Sequence, residues 1–148
     1  MPHGQLEKAA QILARCKSAV ASTGAGMSAE SGIPTFRDPG GLWDVVDPME
    51  VGTVAGLVRA LDKNAAALVP VLRNILSSLE KSAPNAGHYA LAKLEKMGVL
   101  AGVVTQNVDN LHAEAGSRRV VEVHGNAFRL RCLACGSVER KDRAALLA

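Results

Sequence analysis

Four short stretches hold residues whose types and spacing could do chemistry. GAGMSAESGIPTFRD, residues 24 to 38, sets Gly24, Gly26 and Ala29 in the G-x-G-x-x-G/A pattern. Small residues at that spacing let the backbone approach a pyrophosphate at the start of a helix. Taken alone the pattern is weak, because Gly- and Ala-rich sequence produces it often. Gly32 and Pro34 would end a helix after barely a turn, where a dehydrogenase needs a crossover helix and then an acid closing the next strand. Asp44 and Asp47 stand at roughly the right distance but in a stretch that reads as loop. The pattern points to a phosphorylated nucleotide, with the segment after the glycines put to another use.

TQNVDNLH, residues 105 to 112, brings Gln106, Asn107, Asp109 and His112 together just after an apolar run. Two amides, a carboxylate and an imidazole suit hydrogen bonding to ribose hydroxyls and a carboxamide, and open α/β sheets place ligands at the carboxyl ends of strands. The competing reading is a helix cap, with Asn107 or Asp109 satisfying backbone N–H groups. His124-Gly125 closes a further strand-like run. A histidine there is a candidate general base, although a structural histidine reads the same way in isolation. His88 falls inside a helical pattern and is expected to pack or cap. Cys132 and Cys135 form a C-x-x-C pair, which supplies two of the four ligands of a tetrahedral zinc site. It could equally be a redox motif, a metal site completed by another chain, or the start of a site whose second half lies elsewhere.

The elements that must position these residues can be read from periodicity. GQLEKAAQILARCK (4 to 17) spaces Leu6, Ala9, Ala10, Leu13 and Cys16 along one helical face, so Cys16 reads as packing. SAVAST (18 to 23) reads as a short buried strand. Residues 39 to 53 read as loop, with Trp43 as their large apolar anchor. Helical patterns come next at 54 to 63 and 64 to 81, the second carrying Pro70, which predicts a kink or a late start. A better-marked helix covers 84 to 98, with Asn85 placed to cap it and Gly98 to stop it. VLAGVVT (99 to 105) is a continuous apolar run, as in a parallel strand buried on both faces. A short helical segment spans Val108 to Ala115, and VVEVH (120 to 124) and AFRLRC (127 to 132) read as strands. Strands alternating with helices predict a doubly wound α/β sheet.

The bulk numbers narrow the class. The 148 residues are 48% hydrophobic and 21% charged, which is ordinary globular composition and excludes general disorder. Aromatics make up only 3%, so Ala, Leu and Val must build the core. From Ser117 onward seven Arg or Lys face three acids. A solvated basic segment is the plain reading, and without interleaved stacking aromatics nucleic acid is not expected as a partner. The start of the chain carries Glu7, Lys8, Arg15 and Lys17 where a signal peptide would be apolar. No run approaches the roughly 20 apolar residues that span a bilayer. Three cysteines argue against a disulfide framework, and the expected setting is cytoplasmic, with no membrane partner.

GAGMSAESGIPTFRD, APNAGHYALAKLE, TQNVDNLH, VHGN and the C-x-x-C after them occur in the order and spacing of the sirtuin family, and the resemblance covers nearly the whole chain. It implies NAD-dependent protein lysine deacylation on a Rossmann-like parallel sheet, with an inserted helical module (about 39–83 with its cofactor loop) and the start of a zinc-binding module (about 125–148). On that resemblance Gly24, Ala25 and Gly26 face the NAD pyrophosphate, and Arg37 pairs a phosphate through its planar fork. Phe36 covers the reacting ribose. Ser28, Ile33, Asn107 and Asp109 line the nicotinamide pocket, and Gln106 binds the ribose. The catalytic residues are His124, as general base, and Asn107. In the family's reaction the acyl-lysine oxygen attacks C1′ of the nicotinamide ribose and nicotinamide leaves. The base then helps the 2′-oxygen take over the acyl carbon, giving free lysine and O-acyl-ADP-ribose. An imidazole, with its ordinary pKa of about 6.5, suits that step.

In sirtuins a second cysteine pair completes a structural zinc site, so Cys132 and Cys135 are two of four expected ligands. The chain reads as the N-terminal part of a sirtuin catalytic domain, truncated, and turnover by it alone is not expected. A thioredoxin-like role for CLAC conflicts with the strand-like AFRLR before it and GSVERK after it. Two alternatives stand beside the enzyme: a non-catalytic NAD or ADP-ribose-binding module, and a zinc-dependent interaction module in which two chains each give two thiolates. The family's members that prefer acidic acyl groups carry a Tyr and an Arg in the helical module. Residues 54 to 83 hold Arg59 and Arg73 but no tyrosine, so uncharged acyl-lysines are expected.

Overall fold

The structure is a computed structural model and describes residues 3–35, 44, 46, 47, 49 and 53–143. Trp43, Phe36 and Arg37, to which the sequence assigns roles, lie outside the described residues. The chain divides into two compact units, one formed by Met1–Met27 with Pro84–Ala127 and the other by Ser28–Ala83 with Phe128–Ala148.

The first unit is built on three parallel strands, β1 (Ala19–Thr23), β2 (Leu100–Thr105) and β3 (Val120–Glu122), in the order β1-β2-β3. The apolar run predicted to be a buried strand is the central one. In β2, Leu100, Gly102, Val103 and Thr105 are buried. β1 and β3 are edges and leave Val20 and Val121 exposed. β1 is thus not the buried strand expected. β3 is shorter than VVEVH predicts, because the chain turns after Glu122, where the Gly125 N–H donates to the Glu122 carbonyl at 3.2 Å.

Helix α1 (His3–Arg15) forms as the periodicity predicts, but its apolar face is not a packing face. Leu6, Ile12 and Cys16 are exposed, and only Leu13 of residues 4–17 is partly buried. The packing role expected of Cys16 is therefore wrong. Ala9 and Ala10 give this face too little apolar area to hold the helix down.

Helix α3 (Ala86–Lys96) starts where sequence places it. Asn85 Oδ1 accepts from the N–H groups of Gly87 (2.9 Å) and His88 (3.3 Å), and His88 Nδ1 accepts the Asn85 N–H at 3.2 Å. This reciprocal pair is a capping box with an imidazole in the place usually held by Glu or Gln. Gly98, at φ 76°, ends the helix. α3 packs on β2 and on α4 (Leu111–Glu114), a single turn that Gly116 closes at φ 101°.

The second unit holds α2 (Val54–Lys81), capped by Thr53 Oγ1 accepting the Gly56 N–H at 3.0 Å. Its backbone leaves the helical region at Asn64 (φ −150°, ψ 53°), so two helices meet where two patterns were predicted. The break falls at Asn64 and not at Pro70, which the second helix tolerates. Ala60 and Leu68 are buried there, with Leu57, Leu61, Leu72 and Ile75 packed around them. The other element is an antiparallel hairpin of β4 (Arg129–Arg131) and β5 (Val138–Arg140). The Arg143 guanidinium donates to the Leu79 carbonyl and, at 2.9 Å, to Ser82 Oγ, and lies 4.7 Å over the Phe128 ring. A cation at the end of α2 complements the partial negative charge of its last carbonyls. Among the described residues no helix is long and apolar enough to cross a membrane.

Gly102 marks how tightly the sheet is built. A Cβ there would sit 2.6 Å from the Arg119 carbonyl oxygen, which itself accepts the Val103 N–H at 2.8 Å. Gly102→Ala is expected to destabilise the protein by about 1–3 kcal/mol, the usual cost of overpacking. Gly4→Ala, in open space on α1, should be neutral or stabilising by up to about 1 kcal/mol. Urea unfolding of both variants checks the contrast, and equal stabilities would contradict it.

Candidate functional site

Parallel pairing aligns Thr23 with Thr105 and Thr105 with Glu122. The last residues of all three strands therefore stand level, and the segments that continue from them emerge at one edge. After β1 comes Gly24, after β2 Gln106 and Asn107, and after β3 the turn that carries His124. Backbone bonds extend the sheet beyond this row, with the Gln106 N–H donating to the Thr23 carbonyl (3.1 Å) and the Val123 N–H to the Thr105 carbonyl (3.0 Å).

Asn107 ties the first two of these ends together. Its N–H donates to Thr105 Oγ1 at 3.0 Å, and its side-chain Nδ2 donates to the Gly24 carbonyl at 3.0 Å. It does not cap α4. Ala25–Met27 forms one 3₁₀ turn and Ala29–Ser31 a second, which ends at Gly32 with φ 80°. Among the described residues up to Thr35 no crossover helix succeeds the glycines, as Gly32 and Pro34 predict. A Cβ added at Gly24 or Gly26 would meet no atom within 4 Å, and neither residue has a positive φ. Internal packing and backbone conformation therefore do not demand glycine at either position. Open space in front of a partly exposed turn of backbone, with Gly26 exposed, fits a ligand that must come close, as the nucleotide-binding reading requires.

Asp109 is buried at 4% exposure, and its Oδ1 accepts the Leu111 N–H at 2.9 Å. The capping alternative therefore holds for Asp109. His112 is buried, with Nε2 sharing a hydrogen bond of 2.9 Å with Thr23 Oγ1, and it lines one small hollow with Asn107 and Asp109. Its ring lies 4.8 Å from that of His88, also fully buried. Gln106 and His124 are exposed at the edge. Ser28 is buried and Ile33 half-buried, both in the second unit, where the Ser28 carbonyl accepts from the N–H groups of Ser31 and Ile33. Sequence reasoning missed Thr23, Thr105, Asn110 and Asn126 as groups that organise this edge. Asn110, at φ 66° directly before α4, carries a local signal in the Asp-Asn pair, since Asn tolerates that conformation.

Residues 24–146 match the sequence model of the Sir2 family. The chain belongs to the Sir2 family. It is 51% identical over 142 residues to an NAD-dependent protein deacylase of Desulfosudis oleivorans, covering 96% of this chain and 52% of that protein. A Sir2 homologue solved as a complex with NAD superposes with a TM-score of 0.73 at 40% identity, covering 90% of this chain and 51% of the other. A Sir2 structure with a p53 peptide and NAD+ gives 0.72 at 30% identity, covering 91% and 52%. The chain thus spans about half the length of the curated relatives it matches, their N-terminal part, and its three-stranded parallel sheet is that of the family's α/β fold.

The Sir2 resemblance also implies zinc at Cys132 and Cys135. These residues flank the turn of the β4–β5 hairpin, closed by the Cys132 N–H donating to the Ser137 carbonyl (2.9 Å) and the Gly136 N–H to the Cys132 carbonyl (2.9 Å). Cys135 Sγ lies 3.2 Å from Ser137 Oγ, and that hydroxyl, aided by its backbone and by Cys132, pulls the Cys135 thiol down to about 7. A thiol near its thiolate form suits a metal ligand. Among the described residues no group of three His, Cys, Asp or Glu side chains could hold a metal ion. The pair fits one half of a tetrahedral site.

The buried histidine pair in the sheet unit gives a pH dependence. Burial pushes both imidazoles below their ordinary value. For His112 the charge of His88 pushes further down, while Asp109 pulls both the other way. The folded unit thus keeps them neutral where the unfolded chain would protonate them. Stability is fully present above the unfolded value of about 6.5 and is lost as pH falls below it. Urea unfolding at pH 7.5, 6.5 and 5.5 should show a plateau and then a decline, and the decline should be smaller in His88→Gln/His112→Gln. Equal stability of the wild-type chain at all three values would show that the pair protonates without opening the fold.

Proposed function

We propose that this chain supplies the base and the pyrophosphate-facing loop of an NAD-dependent protein lysine deacylase, acting on acyl-lysine in a protein or peptide. The observation that carries this reading is the level row of strand ends. It sets the open ground before Gly24 and Gly26 beside Asn107, on the edge where β3 runs into the His124 turn.

NAD, when bound, supplies a ribosyl carbon that can accept the acyl oxygen and nicotinamide as the group that leaves. Gly24, Ala25 and Gly26 offer backbone without bulk to a pyrophosphate, and an exposed Gln106 side chain stands at the same edge for a ribose hydroxyl. Asn107 and Asp109 are the nicotinamide-facing groups of this unit. Both are anchored by hydrogen bonds to backbone, so any contact they make is held in place beforehand. Ser28, Ile33, Phe36 and Arg37 carry over on the family resemblance alone. His124, exposed and two residues beyond a strand end, is free to take a proton from a ribose hydroxyl. Cys132 and Cys135 would hold a zinc ion as two of its thiolate ligands, with a structural role only.

Two measurements test the reading. Calorimetric titration with ADP-ribose should show binding that weakens about tenfold or more in Gly26→Val, where a side chain fills the open ground, and persists in His124→Ala. In turnover of a completed protein carrying this segment, with NAD and an acetylated peptide, His124→Ala should slow formation of O-acetyl-ADP-ribose by about a hundredfold or more. ADP-ribose affinity indifferent to Gly26→Val, or near-full turnover by His124→Ala, would overturn it. Binding without turnover in the completed wild-type protein would favour a non-catalytic ADP-ribose module.

The acyl group is the second point. With Arg59 and Arg73 but no tyrosine in residues 54–83, the helical segment lacks the pair that sirtuins use for acidic acyl chains. The kcat/KM for an acetylated peptide should exceed that for its succinylated counterpart. A strong succinyl preference would reverse the assignment.

A further inference from the structure

The turn that carries His124 is held by backbone bonds and by the side-chain amide of Asn126. Glu122 to Gly125 form a β-turn closed by the Gly125 N–H, with Gly125 at φ 84°, a conformation that favours glycine. His124 stands at the third position of that turn. The next residue, Asn126, uses Nδ2 twice: it donates to Glu122 Oε1 at 2.6 Å and to Asn110 Oδ1 at 3.0 Å. Asn110 in turn donates through its own Nδ2 to Glu114 Oε1 at 3.0 Å. An amide nitrogen has two hydrogens in one plane, so a single side chain can bridge two acceptors. Both ends of the chain of bonds are carboxylates, which strengthens the two end links.

The two acceptors belong to the two segments that flank the edge. Glu122 opens the His124 turn, and Asn110 lies directly after Asn107 and Asp109. The backbone adds one tie between the same segments, the Ala127 N–H donating to the Val108 carbonyl at 2.8 Å. We infer that Asn126 is a positioning residue for His124, strapping the turn that bears the base to the segment that bears Asn107 and Asp109. This rests on the reading of His124 as the base. The strap demands a donor between two acceptors, so Asp at 126 would place a carboxylate against Glu122 and the Asn110 oxygen. Gln at 122 beside Asp at 126 would restore the first bond with donor and acceptor exchanged.

Amide hydrogen exchange on the folded chain, measured by NMR, tests the strap without turnover. Asn126→Ala should speed exchange of the Gly125 and Ala127 amides by about tenfold or more while the Val103 amide stays as in wild type. Asn126→Asp should speed it further, and Glu122→Gln/Asn126→Asp should bring it back toward wild type. In turnover of the completed protein with an acetylated peptide, Asn126→Ala should lower kcat by about ten- to a hundredfold, the scale of a misplaced catalytic group, with KM for NAD within about twofold. Exchange at Gly125 unchanged in Asn126→Ala, or no recovery in the double variant, overturns the inference. So does kcat unchanged in Asn126→Ala where His124→Ala is inactive. Full turnover by His124→Ala would instead overturn the role of His124, leaving exchange to judge the strap.

Discussion

Parallel pairing in a common register is the constraint on which the rest of the sheet unit depends. Once Thr23, Thr105 and Glu122 stand in one row, three stretches of chain far apart in sequence must leave the sheet side by side. Two edge strands of three and five residues could not hold such a row alone. The central strand does so because both of its faces are covered, and Val103 is 1% exposed. Burying one such side chain is worth about 1.5–3 kcal/mol. Gly102 lets the backbone next to β3 come close enough for the Arg119 carbonyl to bond Val103. The edge of the sheet is therefore only as well placed as β2 is well buried.

Beneath that edge lies a polar layer rather than an apolar one. His88, His112, Thr105, Asp109 and Ser117 are all buried, and such groups cost free energy unless they are bonded. Most of the cost is offset by specific links. His88 closes the cap of α3, His112 holds the hydroxyl of Thr23, and Asp109 holds the first N–H of α4. His88 Nε2, His112 Nδ1 and Ser117 Oγ lack partners among the described residues, which leaves part of that cost uncompensated. Each link ends on a residue that begins or ends an element next to the edge. An apolar layer would pack as well, but it could not fix the direction in which Gly24 and Asn107 leave the sheet.

How much of this was legible in the sequence depends on how local each cause is. Asn85 and Gly98 bracket α3 by rules that act within a few residues, and β2 announces itself through a continuous apolar run. The break in α2 at Asn64 was visible as a change between two helical patterns. β5 was not legible, since Val138, Glu139 and Arg140 are all exposed and pair only with β4. The inward turn of His112 depends on Thr23, 89 residues away, and no spacing rule reaches that far. The same holds for Asn126, which reads as an ordinary polar residue after a glycine until Glu122 and Asn110 are placed around it.

The arrangement also bears on whether the site binds or reacts. A module that only holds a nucleotide needs open ground before its glycines and a few donors nearby. Gly24, Gly26 and Asn107 would satisfy that need without β3. Here the third strand is only partly buried, with Val121 exposed, and it ends in a turn held by the Val123, Gly125 and Ala127 N–H groups and by the Asn126 side chain. Holding an exposed histidine on a turn so closely tied costs conformational entropy and returns no packing. Expenditure of that kind makes sense where a proton must be taken at one position, because a general base works only within hydrogen-bond reach of its proton. On the proposed reading of His124 as the base, a turn held in this way is what its chemistry requires, while nucleotide binding at Gly24 alone would not call for it.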